Sequence, residues 1–257
     1  MSSKHSKESP THPAWVGVIT LFPDMFQALS YGVVGRAMKE NRLTCRYWNP
    51  RDFTTDKHRS VDDTPYGGGA GMLMMAEPLA LAIEAAKQAA PAPPLTIYLS
   101  PQGQLFEQAT AVRFSAYPSL LFIAGRYEGV DERLINQFVD EEWSIGDYIL
   151  TGGELPAMVM IDTITRLMPG VVGDTDSIAQ DSLTTGLLKY PQYTRPEYFH
   201  NETVPKVLLS GNHAAIRRWR LKQSLGRTWL KRRDLLERKK LNTEEKALLD
   251  EYIQENH

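Results

Sequence analysis

SLLFIAGRYEGVDE at residues 119–132 and EEWSIGDYILTGGELP at residues 141–156 carry the decision about the fold. Each opens on a short run of apolar or aromatic side chains and then reaches glycines, which reads as a strand ending in a tight loop. LTIYLSPQG at residues 95–103 has the same form upstream. In an open α/β sheet, ligands bind beyond the carboxyl ends of the strands, where glycine lets backbone amides and carbonyls come close. Taken singly, Gly125, Gly129, Gly152 and Gly153 are as readily explained as turns. Three such loops in series point to one shared pocket.

Working outward, two more strand candidates, WVGVITL at 15–21 and LTCRYWN at 43–49, precede these three. Helical periodicity lies between the runs, near Asp24–Asn41, Glu77–Ala90, Leu105–Ser115, Asp131–Val139 and Glu154–Met168. Strands alternating with helices predict an α/β fold on a mostly parallel sheet. PAPP at 91–94 cannot continue a helix and is read as a loop. From Pro169 the periodicity is lost and Gly, Pro, Thr and Asp accumulate. The expected organisation is therefore a disordered tail over 1–13, an α/β ligand-binding domain over 14–168, a linker over 169–204 and a small all-helical domain over 205–257. In the last, Asn212 caps HAAIRRWRLKQSL and Thr243 caps EEKALLDEYI.

Charge is divided unevenly. The chain of 257 residues carries a formal −2, yet residues 1–194 hold 15 basic against 22 acidic side chains, and residues 195–240 hold 13 against 4. A basic block of net +9 on a mildly acidic body is the pattern of a nucleic-acid footprint. No stretch approaches the roughly 18 uninterrupted apolar residues of a membrane helix. The opening MSSKHSKESPTHP lacks the apolar segment of a signal peptide, so a cytoplasmic address without a membrane partner is expected. Cys45 is the single cysteine, which leaves no thiol cluster for zinc and suggests a small buried hydrophobe.

The glycine loops have neither the GxGxxG spacing of a dinucleotide fold nor the GxxxxGK[ST] of a phosphate-binding loop. An adenosyl ligand without a polyphosphate fits better, with Tyr98, Leu99, Ile145, Tyr148 and Leu150 as an apolar wall and a pocket expected to be neutral. DDTPYGGGAGM at 62–72 is either a flexible surface loop or a lid in which Tyr66 closes over a ligand. Asp181, in AQDSLTTG, reads from spacing alone as a solvated charge. In the basic block Arg217, Arg220 and Arg227 share a helical face, with Arg218 and Lys222 beside it and Trp219 and Trp229 interleaved. Guanidinium groups there suit phosphates, and Tyr193, Arg195 and Tyr198 suit splayed bases of an RNA loop.

Six ordered segments together resemble a known family: ITLFPDMF at 19–26, DDTPYGGGAGM, YLSPQG, AGRYEGVDER at 124–133, SIGDYILTGGELPAM at 144–158, and YTRPEY with VLLSGNHAAIRRWR toward the end. They are similar to the bacterial tRNA (guanine(37)-N1)-methyltransferases of the trefoil-knotted SPOUT class. The resemblance implies a C-terminal knot in the sheet domain and methyl transfer from S-adenosylmethionine to N1 of guanine 37 in tRNA. It implies that Tyr98, Leu99, Ser100, Pro101, Gly125, Tyr127, Gly129, Ile145, Gly146, Tyr148, Leu150, Gly152, Gly153 and Pro156 hold the methyl donor, with Glu128 near the methyl. Asp181 then matches the general base and Arg166 the arginine that supports the guanine. N1 must lose its proton to a carboxylate while charge gathers on O6 beside a cation. A homodimer with active sites across its interface, magnesium assistance, and RNA contacts by Arg195, His213, Arg217, Arg218 and Arg220 complete what the resemblance implies.

Two positions depart from the family pattern: Ala70 stands where proline is expected, and Lys189 where an acidic residue is common. Two rival functions remain at this point. One is an RNA-binding protein without catalysis, in which the glycines are only turns. The other is a methyltransferase of the same class acting on another RNA.

Overall fold

The computed structural model describes residues 15–172, 182–183 and 185–256. The expected tail over 1–13 and Asp181 lie outside these residues. The chain divides into two compact units, one within residues 1–173 and the other within 174–257.

The first unit is built on five strands, β1 (Trp15–Ile19), β2 (Thr44–Trp48), β5 (Leu95–Leu105), β6 (Ser119–Ile123) and β7 (Glu141–Ser144), in the order β2-β1-β6-β5-β7. Every pairing in this sheet is parallel. A parallel sheet needs cover on both faces, and the period of two along its strands supplies it. Val16, Val18, Ile97, Leu99, Leu120 and Phe122 face one core, which is covered by α1 (Gly32–Lys39), α3 (Gln108–Phe114) and α5 (Glu154–Arg166). Trp15, Ile19, Tyr98, Leu121 and Ile123 face the other, under α2 (Ala76–Ala89) and α4 (Glu132–Phe138). In α5 the buried Ala157, Met160, Ile161 and Ile164 follow the helical stripe, and Glu154 in its first turn complements the helix dipole. A short antiparallel pair, β3 (Asp62–Asp63) with β4 (Leu73–Met74), flanks the glycine-rich segment.

Several local expectations shift. The helical pattern from Asp24 to Asn41 is two elements, a 3-10 helix at Pro23–Ser30 and then α1. They join tightly at Gly35, where a Cβ would meet the Ser30 carbonyl at 2.0 Å. SPQG is not a loop beyond a strand. Leu99 and Gln104 both pair with Trp143, so Ser100–Gly103 is a four-residue excursion inside β5. Cys45 sits partly buried on the edge strand β2, packed against the first core. Burial pushes its thiol up to about 12, against the hydrogen bond with Tyr47.

The second unit contains a two-stranded hairpin, β8 (Tyr198–Phe199) and β9 (Glu202–Thr203), within the expected linker. Four helices follow: α6 (Lys206–Leu209), α7 (His213–Lys231), α8 (Arg233–Arg238) and α9 (Thr243–Asn256). The Asn212 side chain caps α7 by accepting from the Ala215 amide at 3.1 Å. The cap of α9 is Asn242 rather than Thr243: its Oδ1 accepts from the Glu245 amide at 2.8 Å, and Glu245 accepts from the Asn242 amide at 2.9 Å. Leu187, Leu225 and Leu248 form the core, and α7 and α9 meet closely at Gly226, where a Cβ would lie 2.4 Å from the Tyr252 ring.

Candidate functional site

Beside the excursion of β5 and at the carboxyl ends of β6 and β7 the first unit encloses a cavity of about 440 Å³, within the roughly 300–1,000 Å³ usual for small-molecule sites. β5 and its excursion supply Tyr98, Leu99, Ser100 and Pro101; the loop after β6 supplies Gly125, Tyr127, Glu128 and Gly129; the loop after β7 and the start of α5 supply Ile145, Gly146, Tyr148, Leu150, Gly152, Gly153 and Pro156. All the residues expected to hold the methyl donor line this one cavity, as does Glu128.

Backbone contacts fix the walls. The Gly153 amide donates to the Gly125 carbonyl at 2.9 Å, and a Cβ on Gly153 would meet the Ala124 backbone at 2.7 Å. Gly146 has φ +151 and lies against Tyr148, whose hydroxyl donates to the Ile145 carbonyl at 3.2 Å. Tyr127 (φ 60) and Gly129 (φ +126) turn the β6 loop sharply. That loop is tied to the glycine-rich segment: the Glu128 amide donates to Met72 O, and the Met74 amide to Gly129 O, both at 2.9 Å. A Cβ on Gly71 would fall 2.4 Å from Glu128 Cγ, so the glycine-rich segment packs directly on that side chain.

The cavity is acidic, not neutral as expected. Among the described residues Glu128, Glu132 and Glu142 line it with one arginine, Arg126, whose charge is already engaged. Burial, and then the Glu132 charge, raise the Glu142 carboxyl above its usual range. Burial and then the Glu142 charge push the Tyr98 phenol up to about 12, so it remains a neutral donor. A lining with excess carboxylate favours a cationic ligand.

Sequence reasoning missed the groups that join the loops. Glu154, 1% exposed in its side chain, pairs with Arg126 at 2.9 Å and accepts from Thr20 Oγ1 at 2.9 Å. Arg126 also donates to the Thr151 carbonyl at 3.1 Å, and its guanidinium lies 4.5 Å from the centre of the Phe22 ring. A buried pair of this kind costs about 3–5 kcal/mol when one partner is removed, whereas an exposed pair contributes about 0–1 kcal/mol. The signal available in sequence was only a glutamate at the start of a helix, one residue beyond two glycines.

Arg166 stands exposed at the far end of α5 and is not among the residues lining the cavity. Twelve residue steps of helix separate it from Glu154, about 18 Å along the axis. Asp181 lies outside the described residues. Among the described residues no group of three or more His, Cys, Asp or Glu side chains is placed to hold a metal ion.

In the second unit, Arg195 and Arg220 line one groove of about 640 Å³ together with Tyr190, Tyr193 and Glu197. The Arg220 guanidinium lies 4.8 Å from the Tyr190 ring centre, and its buried Nε has no hydrogen-bond partner among the described residues. Tyr193 is half exposed, 6.5 Å from Trp219 between ring centres. His213, Arg217 and Arg218 are exposed on α7. Arg218 is not a free cation, because it pairs with Glu251, which also accepts from Lys222 Nζ at 2.8 Å.

Compared with known protein families, residues 14–238 match the family described as tRNA (Guanine-1)-methyltransferase TrmD. A protein named tRNA (guanine-N(1)-)-methyltransferase from Coxiella burnetii (strain RSA 493 / Nine Mile phase I) is 62% identical over 242 residues, covering 94% of this chain and 98% of the relative. Proteins with the same name from Tolumonas auensis and Vibrio vulnificus (strain YJ016) are 59% and 58% identical, covering 94% and 95% of this chain and 97% and 98% of theirs.

Proposed function

This chain belongs to the tRNA (guanine-1)-methyltransferase family, and from that premise we propose that it transfers the methyl of S-adenosylmethionine to N1 of guanine 37 in tRNA. The observation that carries this reading is the acidic, glycine-walled cavity between the β5 excursion and the ends of β6 and β7. Its glycines admit backbone donors and acceptors to an adenosyl group, and its three glutamates suit a ligand bearing a sulfonium and an ammonium. Bound there, S-adenosylmethionine supplies an electrophilic methyl on sulfur. Glu128, positioned by Met72 and Gly71, would lie near that methyl. Asp181 accepts the N1 proton of the guanine as the N1–methyl bond forms and the methyl–sulfur bond breaks, the sulfur leaving as the neutral thioether of S-adenosylhomocysteine, and Arg166 neutralises the charge that gathers on O6. Magnesium assistance belongs to the same reading, with no residue and no step assigned to the ion.

The reading includes a homodimer. Arg166 sits a helix length from the cavity of its own chain, which a second copy resolves by bringing its own Arg166 to the first copy's cavity. Leu155 and Val159, about half exposed on the outer face of α5, and the 82% exposed Ile149 supply apolar surface for that contact. It also includes the trefoil knot, supported by the return of the chain from β7 to the loop behind β6, before α5 packs against α1 and α3. The groove holding Arg195 and Arg220, with Arg217, Arg218 and His213 nearby in the basic block, contacts the RNA. No helix among the described residues is long and apolar enough to cross a membrane, and a tRNA substrate implies action in the cytoplasm.

The test is transfer of labelled methyl from S-adenosylmethionine to two tRNA transcripts, one with guanine at position 37 and one with adenine there. Label entering only the first, recovered as 1-methylguanine, is expected, and Asp181→Ala should abolish it. Unchanged methylation by that variant would remove Asp181 as the proton acceptor. Binding of tRNA with no label in either transcript would instead favour an RNA-binding protein without catalysis.

A further inference from the structure

Glu154 is fully buried in the first turn of α5, and none of the chemistry above uses it. An ionised carboxylate removed from water is costly unless its oxygens are satisfied. Here they are divided between two different loops. Oε1 accepts from Thr20, just beyond β1, and Oε2 pairs with Arg126, just beyond β6. Arg126 continues the connection to the Thr151 carbonyl in the loop beyond β7. Thr20 Oγ1 in turn accepts from the Phe22 amide at 3.0 Å, fixing the residue whose ring lies against the Arg126 guanidinium. Gly152 is bound into the same arrangement, since a Cβ there would lie 2.3 Å from Arg126 Nε and 2.7 Å from Glu154 Oε2.

We propose that Glu154 is a positioning residue of the methyl-donor cavity, acting through Arg126 and Thr20 to set the spacing between its β6 and β7 walls. The proposal rests on the reading of that cavity as the S-adenosylmethionine site. Arg126 immediately precedes Tyr127 and Glu128, and Thr151 immediately precedes Gly152 and Gly153, so a change at Glu154 moves both walls at once. Displacement of walls that must hold a ligand in reacting geometry by about 1 Å is enough to cost up to about 100-fold in rate.

The experiment uses full-length Thr20→Val, Glu154→Gln and Glu154→Ala proteins beside wild type. It measures S-adenosylmethionine affinity by calorimetry, tRNA affinity by filter binding, thermal midpoint, and kcat and KM for each substrate. Glu154→Gln keeps an acceptor for Arg126 Nε and turns an amide donor toward Thr20 Oγ1 while removing the charge, and Thr20→Val is isosteric. Weakened S-adenosylmethionine binding is expected, about 3-fold for Thr20→Val and more than about 10-fold for Glu154→Ala, with tRNA affinity unchanged. Glu154→Gln should recover most of the loss. Variants that melt earlier yet bind S-adenosylmethionine as wild type does would overturn the proposal, leaving Glu154 a stabilising group only. If Glu154→Ala fails to fold, Thr20→Val still decides the matter. Wild-type protein that binds no S-adenosylmethionine would sink the cofactor reading itself, a result distinct from failure of the clamp.

Discussion

Glu142 shows how one side chain can make ligand affinity depend on pH. Its carboxyl takes up a proton at higher pH than an ordinary glutamate, because burial and the Glu132 charge both penalise ionisation. A cationic ligand prefers the ionised form, so affinity for S-adenosylmethionine should fall as pH is lowered, starting at higher pH than an ordinary glutamate would give. Glu142→Gln should weaken binding about three- to tenfold at neutral pH and flatten that dependence, as calorimetry across pH would show. At Gly153 the constraint is space: Gly153→Ala forces a Cβ into the Ala124 backbone, and about 1–3 kcal/mol of lost stability together with loss of methyl-donor binding is expected by thermal melting and calorimetry. Residues of this kind divide into two groups by how they show in sequence. Gly125, Gly152 and Gly153 were legible, because a glycine that follows an apolar run marks a tight turn at the end of a strand. Arg126 and Glu154 were not, because their pairing depends on two loops 28 residues apart meeting in space.

At the scale of elements, the strands and helices that build the sheet unit followed from apolar periodicity, since its strands feed two apolar cores and its helices each bury an apolar stripe. Periodicity cannot show which backbone pairs with which, and so the continuation of β5 through Ser100–Gly103 was hidden. It also cannot separate a 3-10 turn from an α-helix over Pro23–Lys39. In the helical unit, α7 and α9 are held by Arg218 and Lys222 against Glu251 and Glu255. The Arg218 and Lys222 hydrogen bonds hold the Glu251 carboxyl at about 2, against an ordinary 4.5. This contribution to stability is complete above the ordinary value and is lost as pH falls through the lower one. Acid unfolding followed by helix circular dichroism should therefore show α7 and α9 loosening between these two values, and Glu251→Gln should remove that component. Arg217 has the simpler expectation. Arg217→Ala should weaken tRNA binding and reduce the slope of log affinity against log salt by about 0.7–0.9, whereas Arg218→Ala should also lower the melting temperature.

For the whole molecule, the question is whether one chain holds a complete site. Arg166→Ala and Glu128→Ala are each expected to be inactive alone. If sites are shared between copies, mixing the two proteins under exchange conditions creates mixed dimers in which one of the two sites is intact, restoring about a quarter of wild-type activity. If each chain holds its own site, mixing restores nothing, and methyl transfer assays separate the two cases. Neither the distance from Arg166 to the cavity nor the exposed Leu155, Val159 and Ile149 could be read from sequence, which orders residues along a chain without saying how far apart they come to rest. The partly buried Cys45 has a practical consequence on the same scale. Its thiol ionises only near about 12, and the chain has no other cysteine. Since the thiolate is the reactive form, alkylating dyes at neutral pH should pass the native protein by. A cysteine placed at the 99% exposed Tyr66 would then carry a fluorophore at that position alone, turning the glycine-rich segment into an optical reporter of its own movement as ligands arrive.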